Sequence, residues 1–164
     1  MDSTRSGVIS PALRQSIMLR GNLPAKLDPK GRLKIPSGFL KIIEENYGTR
    51  LFVTSLNGDC VRIYPLPVWE EIEEKLAAPP TMKPEKVKFM DLTNFWGQEA
   101  EIDDQGRVLI HLRLREAAQV DGEVAVMGRI RYLEIWPDAT FRAQKIEGQS
   151  FTDADMEALA VLGI

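Results

Sequence analysis

The sequence holds one cysteine, Cys60, and one histidine, His111, in 164 residues. A lone cysteine excludes an intrachain disulfide framework and most thiolate metal sites. A lone histidine leaves little from which to build a metal centre or an acid–base relay. No apolar run approaches the roughly 20 residues needed to span a bilayer, and the opening stretch MDSTRSGVIS lacks the apolar core of a signal peptide. Gly31, Gly38 and Gly48 do not fall in the Gly-x-x-x-x-Gly-Lys-Ser/Thr spacing of a phosphate loop. There is no Gly-x-Ser-x-Gly elbow and no serine–histidine set. Cys60 falls in an expected strand, where it reads as a small buried hydrophobe. These absences predict a soluble, cytoplasmic protein that is not an enzyme, needs no metal or cofactor and does not engage a membrane.

What is present is ordinary for a globular chain: 44% hydrophobic and 27% charged residues, enough length to bury a core without covalent staples. Charge is uneven. The net value is −3, yet residues 1–36 carry seven bases (Arg5, Arg14, Arg20, Lys26, Lys30, Arg32, Lys34) against two acids (Asp2, Asp28). A globally acidic chain can still present a cationic face.

An internal repeat organises the chain. Ala25-Lys-Leu-Asp-Pro-Lys-Gly-Arg-Leu-Lys-Ile35 aligns with Ala100-Glu-Ile-Asp-Asp-Gln-Gly-Arg-Val-Leu-Ile110, five of the eleven positions being identical. Further on, Ile63-Tyr64-Pro65 answers Ile135-Trp136-Pro137, and Trp69 answers Phe141. The expected plan is a first repeat over 18–78, a connecting segment with a helix over 79–96, a second repeat over 97–147 and a tail over 148–164. Residues 1–17 are expected to be a disordered arm. Neither copy alone has much to bury, so the two are expected to pair as one pseudo-symmetric, β-rich α+β domain.

Each copy opens with a strand–turn–strand. Leu23, Ala25 and Leu27 alternate with polar or turn-forming neighbours, as in a half-buried strand. Asp28-Pro29-Lys30-Gly31 fits a type I turn, and Asp103-Asp104-Gln105-Gly106 keeps both its ends. Helices are expected from Ser37, as cap, to Gly48 and from Leu112 to Gln119. Leu51–Leu56 and Cys60–Tyr64 read as a hairpin about the Asn57-Gly58 turn, with Val124–Met127 and Ile130–Trp136 as its counterpart. Pro67–Leu76 reads as an amphipathic helix, with Trp69, Ile72 and Leu76 on one side. Glu70, Glu71, Glu73 and Glu74 form its solvated face rather than a metal box. Pro84–Trp96 reads as the connecting helix. A short tail helix, capped by Thr152 or Ser150, sets Met156, Leu159 and Val161 on one side. It can pack on its own domain or dock on a neighbouring subunit.

The first turn carries the candidate chemistry. Alternation puts Lys26, Arg32 and Lys34 opposite the core, with Lys30 at the tip. A two-stranded ribbon fits the major groove of B-DNA, where an arginine grips guanine O6 and N7, and Asp28 can orient Arg32 across the turn. The alternative is a plain turn with a solvated basic face. The second copy is weaker, with Glu99, Glu101, Asp103 and Asp104 around Arg107 and with Leu109 facing outward. His111 reads as a strand-end residue rather than a ligand.

Taken together, Met18-Leu-Arg-Gly-Asn22, Leu27-Asp-Pro-Lys-Gly-Arg-Leu-Lys-Ile-Pro36, Ile63-Tyr-Pro65, Asp103-Asp-Gln-Gly-Arg-Val-Leu-Ile110 and Glu134-Ile-Trp136 resemble the MraZ family of bacterial transcriptional regulators, in the AbrB-like swapped-hairpin superfamily. The resemblance covers roughly residues 18–145. It implies two tandem swapped-hairpin repeats in a barrel-like fold and ring-shaped homo-oligomers of some eight or more subunits. It further implies double-stranded promoter DNA as partner, bound at short direct repeats near the division and cell-wall gene cluster, repression of that cluster and association with the nucleoid. The matching contact positions are Asp28 and Arg32, then Asp103 and Arg107. Where the first copy continues Ile35-Pro36, the second has Ile110-His111. A scaffold that docks proteins through acidic helices is the rival of another class. An AbrB-like antitoxin is a further alternative, against which the duplication counts.

Overall fold

Alternating short strands and helices at nearly the same spacing in both halves of the chain give eight strands and six α-helices in the computed structural model, which describes residues 17–164. In chain order these are β1 (Asn22–Lys26), β2 (Arg32–Lys34), α1 (Ser37–Asn46), β3 (Arg50–Thr54), β4 (Val61–Pro65), α2 (Leu66–Ala77) and α3 (Pro84–Trp96). Then come β5 (Gln98–Glu101), β6 (Arg107–Leu109), α4 (Leu112–Ala118), β7 (Glu123–Gly128), β8 (Leu133–Trp136), α5 (Asp138–Phe141), a π-helical turn (Arg142–Ile146) and α6 (Asp153–Ala160). The arm expected at the N-terminus lies almost wholly outside the described residues.

β3 and β4 pair within the first copy and β7 and β8 within the second, but the strands that flank the two turns take partners from the other copy. One antiparallel sheet runs β1-β7-β8-β4-β3-β5, and a second consists of β2 and β6 alone. The six-stranded order reads the same from either end once each strand is exchanged for its repeat counterpart. It stays open, with β1 and β5 at its edges, so the expected barrel does not close among the described residues. Each copy lends its first strand to the other: β1 lies on β7, and β5 on β3. The two return strands pair with one another, Leu33 opposite Val108.

The reason lies in what each face must bury. Leu33, Ile35, Val108 and Ile110 are almost wholly enclosed, in one cluster with Ile43, Leu51, Val61, Leu114, Val126 and Ile135. No copy supplies that cluster alone, so the apolar faces meet across the repeat boundary. A second layer forms outside β3 and β4, where Trp69 of α2 stacks on Phe52 (4.6 Å between ring centroids) and lies tilted against Tyr64 (4.8 Å).

Three local expectations change, and one is decided. Leu23 is exposed rather than half-buried, because β1 is an edge strand. Ser37 is the first helical residue, not the cap; the Pro36 carbonyl starts α1, accepting from the amides of Phe39 and Leu40 (both 2.9 Å). Asn57-Gly58 does not make a two-residue turn: Thr54 pairs with Arg62, and residues 55–60 form a longer loop. Packing on α3 overrides the local turn preference there. The Thr54 hydroxyl donates to the Thr93 carbonyl (2.6 Å), and Gly58, at φ +75, lies against the Trp96 ring. The tail helix is capped by Thr152, and none of its residues is buried.

Leu33→Ala removes a fully buried side chain at the centre of the β2–β6 ladder and is expected to cost about 2–5 kcal/mol of stability. Chemical denaturation followed by tryptophan fluorescence measures it, and a loss under about 1 kcal/mol would contradict the enclosed position of this ladder.

Candidate nucleic-acid interface

Both turns are built the same way. The Asp28 amide donates to the Arg32 carbonyl and the Gly31 amide to the Asp28 carbonyl (both 2.9 Å); Asp103, Arg107 and Gly106 repeat these bonds at the same lengths. Each aspartate Oδ1 accepts two further amides at 2.9 Å, those of Lys30 and Arg32 in the first turn and of Gln105 and Arg107 in the second. Each Oδ2 accepts from the arginine Nε, at 2.7 Å from Arg32 and 3.0 Å from Arg107. The Asp-x-x-x-Arg spacing is therefore a mechanical unit, in which one carboxylate closes the turn and fixes the plane of the guanidinium. The closing glycines stand at φ +87 and +75, and each would drive a Cβ into a neighbouring side chain: Arg115 beside Gly31, Leu40 beside Gly106.

The two units are clipped together. The Gly31 carbonyl accepts from the Ile110 amide (2.9 Å), and the Gly106 carbonyl from the Ile35 amide (3.0 Å). Cross-strand partners share a face, so the pairs Arg32–Leu109 and Lys34–Arg107 lie on the side opposite buried Leu33 and Val108. Arg32, Lys34 and Arg107 thus stand together on one outward face. Like charges directly opposite one another destabilise a ladder. Here the ladder answers with partners: Lys34 Nζ donates to the Gln105 carbonyl, and Arg107 Nη1 lies 3.9 Å from Asp28 Oδ2. Asp28 thereby serves both arginines. Arg32 keeps 33% of its side chain in solvent and Arg107 24%. Among the described residues, nothing hydrogen-bonds the terminal nitrogens of Arg32.

The sequence-based site residues do not all converge. Asp28, Arg32, Lys34, Asp103 and Arg107 do, with Lys30 exposed in the first turn. Lys26 does not: it lies on β1 of the other sheet, opposite Glu123, because β1 and β2 diverge after the turn to join different sheets. Arg107 stands closer to Arg32 than two separate hairpins would suggest. Sequence reasoning gave Arg115 no role, yet its Nε donates to the Ile110 carbonyl (2.7 Å) and its guanidinium fills the space beside Gly31. The required glycine was the available signal for such a close neighbour. His111 lies two residues beyond β6 rather than at its end, as the N-cap residue of α4, its Nε2 2.7 Å from the Trp96 carbonyl. Among the described residues no His, Cys, Asp or Glu group is arranged to hold a metal ion, and no helix is long and apolar enough to cross a membrane.

A twice-used unit that interlocks with its own copy and turns a carboxylate-held cationic ribbon outward defines a tandem-repeat, β-rich α+β protein. Comparison with known proteins gives the family. The chain matches the family described as "MraZ protein, putative antitoxin-like" twice, over residues 18–91 and 97–162. It is 48% identical over 147 residues to the transcriptional regulator MraZ of Acidobacterium capsulatum and 46% identical over 148 residues to that of Koribacter versatilis, each covering 90% of this chain and all of the relative. The protein of the same name from Thiobacillus denitrificans is 34% identical over 82% of this chain and 91% of its own. The chain belongs to the MraZ family of transcriptional regulators, which are not enzymes.

The backbone amides lower the carboxyl pKa of both turn aspartates: first that of Arg32 for Asp28 and that of Arg107 for Asp103, with the arginine side chains adding to the effect against a smaller opposing desolvation. A carboxylate depressed on folding stabilises the fold above its unfolded value, here 3.8, and that contribution is lost as pH falls through the folded value. Wild-type protein is therefore expected to lose part of its stability progressively below about pH 4, and an Asp28→Asn, Asp103→Asn variant to show a flatter acid limb. Denaturant titrations across the acid range measure both, and parallel acid limbs would refute the role of these carboxylates.

Proposed function

We propose that this chain regulates transcription by binding double-stranded promoter DNA in a sequence-specific way, through the outward face of the β2–β6 ribbon. The observation that carries this reading is the shared face of Arg32, Lys34 and Arg107, held in register by Asp28 and Asp103. A β-ribbon enters a major groove roughly 12 Å wide. Crowding three cations on one ladder costs stability, and a polyanionic partner offsets that cost. Arg32 reads a base, best a guanine; Lys30 and Lys34 neutralise phosphates; Asp28 and Asp103 set the turns; Arg107 adds a second contact. Lys26 is at most a peripheral phosphate contact.

The exchange of first strands and the pairing of return strands support reading the two copies as swapped hairpins related by a pseudo-two-fold axis. One ribbon of a few cations binds weakly. A ring of identical subunits on short direct repeats gains about 10²–10⁴ in affinity by linkage, and covering a promoter in this way suffices for repression. The family resemblance points to the division and cell-wall gene cluster as the target, and so to a cytoplasmic, nucleoid-associated protein.

Fluorescence anisotropy on the duplex upstream of the chain's own reading frame, at several salt concentrations, tests this. Arg32→Ala is expected to cost about 1–3 kcal/mol on the specific site and to flatten sequence preference. Lys30→Ala should weaken all duplexes alike and lower the salt slope by about one unit. Unchanged binding by an Arg32→Ala, Arg107→Ala double variant would sink the assignment.

A further inference from the structure

The helix α6 stands fully formed on nothing. Its capping box is complete, the Asp155 amide donating to Thr152 Oγ1 (3.1 Å) and the Thr152 amide to Asp155 Oδ2 (2.9 Å), yet none of its residues is buried. Eight residues are too few for a stable helix in water without packing. Around it Phe151, Met156, Val161, Leu162 and Ile164 are all exposed. Residues 148–164 carry three acids, Asp153, Asp155 and Glu157, and no base.

A second feature of the molecule has the opposite character. Between α2 and α3 lies an open groove of about 380 Å³ with Ile72, Leu76 and Phe89 on its floor. Lys75, Lys83 and Lys86 line it, with Glu85 as the one acid. Lys86 is fixed there by donating to the carbonyls of Lys75 (3.0 Å) and Ala78 (2.7 Å). This groove takes no part in the DNA-facing ribbon.

We propose that the acidic, apolar tail of one subunit seats in the lysine-edged groove of a second copy of this chain. The groove floor takes the apolar side chains of the tail, and Lys75 and Lys83 face the carboxylates of Asp153, Asp155 and Glu157. Within one subunit the tail stands exposed and the groove stands open, so each chain offers one donor and one acceptor of complementary charge and polarity. A contact that uses two different surfaces is head-to-tail, and head-to-tail contacts close into rings when the rotation permits. The inference deepens the oligomer part of the function proposed above and rests on it, while making no demand on DNA.

Two differently tagged full-length copies are co-expressed, one carrying Leu162→Cys and the other Lys75→Cys. Native Cys60 stays silent because burial pushes its thiol up to about 12. Oxidation is expected to yield a disulfide-linked species bearing both tags. In parallel, Lys75→Glu with Lys83→Glu should weaken association about tenfold or more by light scattering, and Asp153→Lys with Glu157→Lys on the tail should restore it. An oligomer with no inter-tag crosslink and no response to charge reversal overturns the tail–groove contact and leaves the ring standing. If the co-expressed single-cysteine copies give no crosslink while a separate chain given both Leu162→Cys and Lys75→Cys crosslinks within itself, the tail belongs to its own groove and the contact between copies is overturned. A monomer at all concentrations overturns ring and contact together. DNA binding is read separately in each preparation.

Discussion

Everything in this fold depends on strands leaving home. The return strand of each repeat has an apolar face that its own first strand does not cover, and only the matching strand of the other repeat is placed to cover it. Leu33 against Val108, with the Gly31 and Gly106 carbonyls each accepting from the far end of the partner strand, fastens the two copies at their turns. The wide sheet follows from that exchange, because β1 and β5, released from hairpin pairing, complete opposite edges. Separating the repeats would expose both the core and a row of unpaired backbone groups.

The same fastening decides the electrostatics. Two turns at opposite ends of a three-residue ladder bring their cations within reach of one another. Asp28 is then close enough to hold its own arginine and to attract that of the other repeat. Repetition makes the site composite: a single copy would present one carboxylate with one guanidinium, whereas the pair presents a short basic ribbon stiffened from both ends. Arg115, bound to the Ile110 carbonyl beneath Gly31, ties the helix after the second ribbon strand to the turn before the first.

Much of this was legible in the residues. Asp, Gly and Arg at fixed spacing specify the turns, because an aspartate that caps three amides and a glycine at positive φ are local requirements. The duplication, the helix positions and the enclosed aliphatics were equally plain. Strand pairing was not, since alternation marks the face a strand buries and says nothing of which strand lies beside it. Lys26 was grouped with Arg32 and Lys34 on that account, and the sheet boundary between β1 and β2 separates them. Asn57-Gly58 failed for a related reason: the contact of Thr54 and Gly58 with α3 is tertiary, and no window of neighbouring residues contains it.

The pairing of β1 with β7 also has a consequence in time. Asn22 meets Met127 and Lys26 meets Glu123, so the first strand to leave the ribosome waits until most of the chain has been made before it finds its place. The nascent first repeat therefore emerges with its first strand unpaired. Nonlocal connectivity of this kind slows folding and leaves the first repeat with unpaired strand edges until the second has been made.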